Sequence, residues 1–403
     1  MNETVEQLSA QHLALAETHR RHGATFTARD GHLLPAAYGD SRAEYEAVRG
    51  GDGAGLVDLS ARGRIEVSGA EAVQFLNGLI TNDVKTLSAG AWMLAAFPNV
   101  QGRLLAHARV ARAGEEVSFL IDTEAATHEK VFQTLQRFTL AGDFRVRDVT
   151  GETAQFSLQG ARAGAILQSA LGEAFVQAAP QQRSAASVRW REDQSITILH
   201  ATHTGEDGYD LVCASDASAA DLWEALTSAG ARPVGFDAFE VLRVEAGEPR
   251  HGVDVTDTNV VLEAGRDEAV SYTKGCYIGQ EIIARIHWRG HVAKRLAGLV
   301  LADERDPGAD AKVRTTEGKE IGRITSHVFS PRLARRVALA VIKYDYLQPD
   351  TQVSVVVAGE AEVAAAGEAE VAARVAWLPF VRGSWYVTPS DAGAPGDGEE
   401  TTP

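Results

Sequence analysis

Cysteine and methionine are scarce in this 403-residue chain, with two of each. Two thiols, Cys213 and Cys276, cannot build a disulfide framework or a cysteine-rich zinc or iron–sulfur site. Positive charge is also short: 39 Lys and Arg face 55 Asp and Glu, a formal balance of −16. Phosphate backbones would meet net repulsion, which argues against stable, sequence-blind nucleic-acid binding. No apolar run approaches the roughly 18 residues that a membrane span needs. Residues 1–21 are polar and lack the apolar core of a signal peptide. A cytoplasmic protein without membrane or nucleic-acid partners is therefore expected. What remains, 45% hydrophobic and 23% charged residues, is ordinary globular composition with room for two or three domains.

Residues 1–20 read as a polar, weakly packed helical lead-in. A short strand at Arg64–Val67 precedes Ser68-Gly69-Ala70-Glu71, which has the spacing of a helix capping box. Leu104–Ala111 and Glu116–Ile121 read as a hairpin, after which Asp122 is placed to cap a helix running to about Thr139. Further strands are expected at Phe144–Val149, Gln155–Leu158, Ser195–Leu199 and Tyr209–Cys213, with helices near 161–171, 217–229 and 236–246. Interspersed strands and helices without regular alternation indicate an α+β fold rather than a doubly wound sheet. Beyond about His291, five strand-like segments between Gly- and Pro-containing turns predict a separate β-barrel or sandwich. The near-perfect octapeptide tandem at 359–374 fits a lengthened hairpin, and residues 388–403 have the composition of a disordered acidic tail.

The Gly-rich run at 50–55 is not a nucleotide loop, because Leu56 breaks the G-x-G-x-x-G pattern. His287 and His291 lie four apart, yet Gly290 intervenes and no Glu sits between them, so no metal site is expected. The densest chemistry is Lys274-Gly275-Cys276-Tyr277-Ile278-Gly279-Gln280-Glu281. Two glycines bracket a thiol that Lys274 could bias toward thiolate; alternatively, Cys276 is a small apolar residue in a turn. From Lys274 to Arg295 the local charge is +4, leaving −20 for the remainder, which marks either an anion-binding stretch or a solvated face. Thr204-Gly205-Glu206-Asp207-Gly208-Tyr209 sets two carboxylates in a Gly-flanked turn. Ionised carboxylates suit the paired N–H donors of a planar heterocycle, and a plain acidic turn is the alternative.

At these residues the sequence resembles the aminomethyltransferase (glycine cleavage system T protein) superfamily over nearly its whole ordered length. The match runs through Gly23-Ala24 with Phe26, Pro35 with Tyr38-Gly39, Asp58-Leu59-Ser60, Asn82-Asp83-Val84, the TGEDGYD turn and Leu242-Arg243-Val244-Glu245-Ala246-Gly247. KGCYIGQE resembles the signature of the YgfZ branch, folate-binding proteins implicated in making or repairing iron–sulfur proteins. The transferase branch typically has Lys followed by Phe-Ile-Gly here, without the Cys.

The resemblance implies a three-domain cloverleaf holding tetrahydrofolate, or a one-carbon derivative, in a central opening. The folate-binding region would span 21–290 as two intertwined α+β subdomains, with the C-terminal β-barrel at 291–387. Glu206 matches the Glu that grips the pterin, and Arg243 the Arg near the folate's glutamate portion. Tyr277 and Gln280 join them as expected cofactor contacts, while Cys276 and Lys274 are the expected reactive pair. One departure bears on activity. The transferase carries an Asp pair downstream of Asn-x-x-Gly, whereas Asn99-Val100-Gln101-Gly102 leads here to Ala106 and His107. The expected function is thus a folate-dependent accessory to iron–sulfur cluster assembly or repair, with iron–sulfur proteins or assembly factors as partners. A one-carbon transferase and a scaffold without folate are the alternatives.

Overall fold

Short strands with alternating apolar residues sort into four sheets, one of them a two-stranded hairpin, which a computed structural model describes over residues 13–137, 142–178, 181–191, 194–215, 217–357 and 369–386. Helix α1 (Leu13–Arg21) leads into a hairpin of β1 (Thr25–Arg29) and β2 (His32–Ala37), followed by α2 (Ser41–Arg49) and β3 (Gly55–Asp58). The lead-in is not loose from Leu13 onward. Leu15 and His19 are buried, and His19 Nε2 lies 2.9 Å from Asp58 Oδ2 while Nδ1 meets the Tyr38 hydroxyl at 2.8 Å. Residues 1–12 lie outside the described residues.

The chain next builds β4 (Gly63–Ser68), α3 (Ala72–Leu79), β5 (Ala91–Pro98), β6 (Leu104–Arg112), β7 (Ser118–Thr123), α4 (Ala125–Gln136) and β8 (Arg145–Asp148). These strands form one antiparallel sheet in the order β5-β6-β7-β4-β8 over a core that includes Ile65, Leu76, Phe97, Phe119 and Leu135. Two capping expectations fail here. Glu71 Oε2 accepts from the distant Asp143 N–H at 2.6 Å instead of closing a box with Ser68, and α3 starts at Ala72 without a side-chain cap. Asp122 is held by Arg62 at 2.7 and 3.1 Å, so α4 starts at Ala125 with no side-chain cap.

The second sheet adds β9 (Thr153–Gln159), α5 (Ala163–Leu171), α6 (Glu173–Ala178), β10 (Ala185–Arg191), β11 (Gln194–His200), β12 (Gly208–Ala214), α7 (Ala217–Ser228) and β13 (Arg232–Val234). Its order is β10-β11-β12-β9-β3-β13, antiparallel except for the β13–β3 pair, over a core that includes Leu56, Phe156, Leu167, Ile198 and Trp223. The first sheet is therefore an insertion between β3 and β9. Arg64, fully buried on β4, staples the two crossings. It donates to Ser60 O and Arg62 O on one connection and to Thr150 O, Thr153 O and Thr153 Oγ1 on the other, at 2.6–3.0 Å. With no carboxylate in that set, burial brings its pKa down to about 10.

Helices α8 (Phe236–Glu245) and α9 (Gln280–Arg289) lead to a closed barrel of β14 (Lys294–Leu301), β15 (Lys312–Thr315), β16 (Glu320–Ser330), β17 (Arg335–Lys343), β18 (Gln352–Val357) and β19 (Ala369–Ala376). The α+β fold with a C-terminal β-barrel is as the sequence leads one to expect. β15 escapes sequence reading because Lys312 and Arg314 flank a single inward residue, Val313, leaving no run to detect. Residues 369–374 of the octapeptide tandem lie in β19; the rest of it and the tail from 387 are outside the described residues. Among the described residues no helix is long and apolar enough to cross a membrane.

Candidate functional site

A cavity of about 180 Å³ opens where the two N-terminal sheets meet α8 and the β1–β2 hairpin. Strand periodicity aims one wall. On β6, Ala106, Ala108 and Val110 join the core of the first sheet, so the intervening His107 and Arg109 turn to the other face and line the cavity. Helical spacing aims another: Phe236, Phe239 and Arg243 stand at i, i+3 and i+7 on α8 and present two aromatic rings and a guanidinium.

The charges around the cavity are mostly committed. Arg243 uses all five N–H donors: Nε and Nη2 on Glu240 (2.9 and 2.5 Å), Nη1 on Glu248 O and Asp254 (2.5 and 2.7 Å), and Nη2 on Ser326 Oγ (2.8 Å). Burial disfavours this cation, but Asp254 and Glu240 outweigh it and hold the pKa above the ordinary value. Arg109 is bound to Asp210 at 2.5 Å and to Thr202 O at 2.7 Å, and Asp210 also contacts His203 Nε2 at 2.9 Å. The guanidiniums of Arg29 and of the lining residue Arg250 lie 4.2 and 4.7 Å from the Phe236 ring centroid. Arg250 makes a side-chain bond from Nη2 to Glu240 at 2.5 Å.

His107 is neutral, since burial, reinforced by Arg266 and His251, pushes its pKa down to about 3. The folded pKa lies below the ordinary 6.5, so between pH 6.5 and 3 the unfolded chain binds more protons and stability falls on acidification. We expect this loss to approach about 1.4 kcal/mol per pH unit within that window. His107→Asn should remove that component, as read by urea unfolding at several pH values.

The expected site residues do not gather in the cavity. Arg243 lines it but has no donor to spare for a carboxylate ligand. Glu206 is buried elsewhere: Oε1 accepts from Arg49 Nη1 at 2.7 Å, and Oε2 from Ser384 N and Oγ at 2.8 and 2.7 Å. Lys274 is not positioned as a thiol activator. Its buried ammonium donates to the carbonyls of Asn77, Ile80 and Asn82 at 2.8, 2.8 and 2.7 Å, closing the C-terminal end of α3. Burial lowers its pKa to about 8, against the opposing pull of Asp83. Tyr277 is buried in a separate apolar cluster, with its phenol pushed up to about 12 by burial. Gln280 opens α9, and Cys276 is exposed. None of these four lines the cavity.

The second motif glycine has a steric reason. Gly279 has φ +78°, and a Cβ there would lie 2.4 Å from Asn99 O, so it lets KGCYIGQE close onto the 99–102 turn. The basic stretch divides into a buried Lys274 and exposed or half-buried residues on and after α9. Arg285 is paired with Glu281 at 3.1 Å and Arg295 with Asp267 at 2.7 Å. Sequence reasoning missed Phe236, Arg250, His203 and Glu124 as cavity residues. The 236–239–243 spacing was the available signal for the first.

Comparison with known proteins accords with this architecture. Residues 15–274 match the GCVT N-terminal domain, and residues 294–381 match the Glycine cleavage T-protein C-terminal barrel domain. An aminomethyltransferase from Geobacillus kaustophilus (strain HTA426) is 33% identical over 351 residues, spanning 86% of this chain and 94% of that protein. One from Bacillus mycoides (strain KBAB4) is 30% identical over 358 residues with the same coverage. The crystal structure of glycine cleavage system aminomethyltransferase T from Bartonella henselae superposes with a TM-score of 0.81 at 26% identity, covering 92% of this chain and 97% of that one. The chain belongs to the glycine cleavage T-protein (aminomethyltransferase) family.

Proposed function

We propose that this member of the family binds tetrahydrofolate, or a one-carbon derivative, in the central cavity and serves as a YgfZ-like accessory to iron–sulfur cluster assembly or repair. The observation that carries this reading is the character of β6. Where the transferase pattern has an Asp pair, Ala106 is buried in the core and His107 is a neutral imidazole, so neither offers a carboxylate to stabilise developing positive charge. The exposed thiol of Cys276, within the KGCYIGQE motif, supports the accessory role.

The cavity residues suit the cofactor. Phe236 and Phe239 offer apolar faces to a flat heterocycle, and Arg250, which gives one N–H to Glu240, offers its other donors to a carboxylate-bearing tail in place of the fully engaged Arg243. Bound tetrahydrofolate would supply one-carbon carriage. The chain's own residues would bind and orient it, and Cys276 would meet partner proteins at the surface. One thiol does not house a whole cluster, so transient ligation or redox contact with an iron–sulfur protein or assembly factor is the fitting chemistry.

The test uses Cys276→Ser. Its tetrahydrofolate affinity by calorimetry should match wild type, while rescue of iron–sulfur enzyme activity in cells lacking the protein is lost. Full rescue would sink the thiol role, and absence of heat with wild type would sink the folate role. The names of the relatives favour a second reading, aminomethyl transfer. Formation of methylene-tetrahydrofolate from an aminomethyl-lipoyl carrier would establish it.

A further inference from the structure

Among the cavity carboxyls withdrawn from solvent, Glu124 is the one left with acceptor capacity. The β6–β7 ladder ends at the Ala108–Thr123 pair, and the residues next to that pair, His107 and Glu124, both line the cavity. The Glu124 side chain does not cap α4 and accepts from the backbone N–H of His251 at 3.1 and 3.3 Å. A carboxylate has about four lone-pair sites, so one N–H leaves most of them open.

The surrounding cations are occupied elsewhere. Arg62 is bound to Asp122, all five donors of Arg243 are in use, and Arg250 is held by Glu240. His107, on the same cavity wall, is neutral and supplies no imidazolium to Glu124. Among the described residues Glu124 makes no ion pair, although Arg62, Arg243 and Arg250 all act on it through space. The other cavity carboxylates differ: Asp30 is exposed to solvent at the tip of the β1–β2 hairpin, Asp58 is taken by His19 and Ser60, and Glu248 by Arg266. Burial raises the Glu124 pKa, as expected of a carboxyl lacking strong partners.

The geometry points to Glu124 as a ligand-contacting residue that selects for a ring nitrogen bearing hydrogen. An ionised carboxylate accepts and cannot donate, so it favours N–H over a bare ring nitrogen, which would face it lone pair to lone pair. This inference rests on the tetrahydrofolate reading and deepens it. Tetrahydrofolate carries N–H at the reduced ring positions, whereas fully oxidised folic acid has bare acceptor nitrogens there. Glu124 thereby selects for the reduced state of the cofactor.

The experiment is calorimetric titration of the full chain with tetrahydrofolate and with folic acid, in wild type, Glu124→Gln and Glu124→Asp. Wild type should prefer the reduced form by about tenfold or more, the scale expected when a site built around a hydrogen bond meets an analogue lacking the donor. Gln retains the volume and can still accept from His251, so it should fold. It should lose most of the preference, chiefly through weaker tetrahydrofolate binding. The Asp variant, one methylene shorter, should show the same loss, and it decides the matter if the Gln variant fails to fold. An unchanged ratio in a folded variant overturns the role of Glu124, as does a wild type that binds both forms equally. Failure of wild type to bind either compound overturns the tetrahydrofolate reading instead.

Discussion

Arg49→Met is expected to destabilise the protein by about 3–5 kcal/mol, the cost of stranding buried charge. Arg49 on α2 bridges two carboxylates, with Nη1 2.7 Å from Glu206 Oε1 and Nη2 3.1 Å from Glu245 Oε2. The side chains of Arg49, Glu206 and Glu245 are 2%, 10% and 0% exposed, so water cannot replace the lost cation. Glu245 would keep the hydroxyls of Tyr45 at 2.9 Å and Ser330 at 2.5 Å, and Glu206 would keep Ser384, but no positive charge would remain among their direct partners. The damage should spread, because Ser330 belongs to the barrel and Ser384 to the segment after it. Urea unfolding measures the loss. Adding Glu206→Gln and Glu245→Gln to the same chain should restore much of it, since the charge rather than the shape is at fault; a triple variant no better than Arg49→Met would refute this account.

Lys274→Met should be the next most costly change, at about 3 kcal/mol, because it orphans two buried carbonyls and a partly buried one at the end of α3. Its pH signature distinguishes it. The folded pKa of about 8 lies below the ordinary 10.5, so the unfolded chain binds more protons between those values and wild-type stability gains a rising component there. The variant should lack that component. Alkylation of Cys276 should follow the same pH profile in both proteins, because the ammonium is directed at carbonyls rather than at the thiol. A shifted alkylation profile in the variant would reinstate Lys274 as the activating partner.

What could be read from the sequence was local. Alternating residues between Gly and Pro turns disclosed most of the barrel, and the hairpin at β6–β7 was visible for the same reason. Which face of β6 meets the cavity was not, because that depends on what packs against Ala106 and Ala108. The surroundings of the expected site residues were not legible where their partners lie far along the chain. Glu206 is bound by residues 157 and 178 positions away, and the carbonyls holding Lys274 lie 192 to 197 positions upstream. A motif shows that a charge is present, but its availability to a ligand depends on these distant contacts. Arg243 illustrates this best: Glu240 is one turn away, while Ser326, which takes one of its donors, lies 83 residues on in the barrel.

The Arg64 staple changes how the two N-terminal sheets come together. β3 and β9 are neighbours in the second sheet, yet the entire first sheet is threaded between them. Because β4 and β8 pair within that insertion, with Ile65 opposite Asp148, its closure draws the ends of β3 and β9 to within two short connections of each other. The entropic cost of closing a long loop is then met while the first sheet forms, and little remains for the second. Arg64 holds both connections at that junction, so the closure of the inserted lobe and the pairing of β3 with β9 support each other.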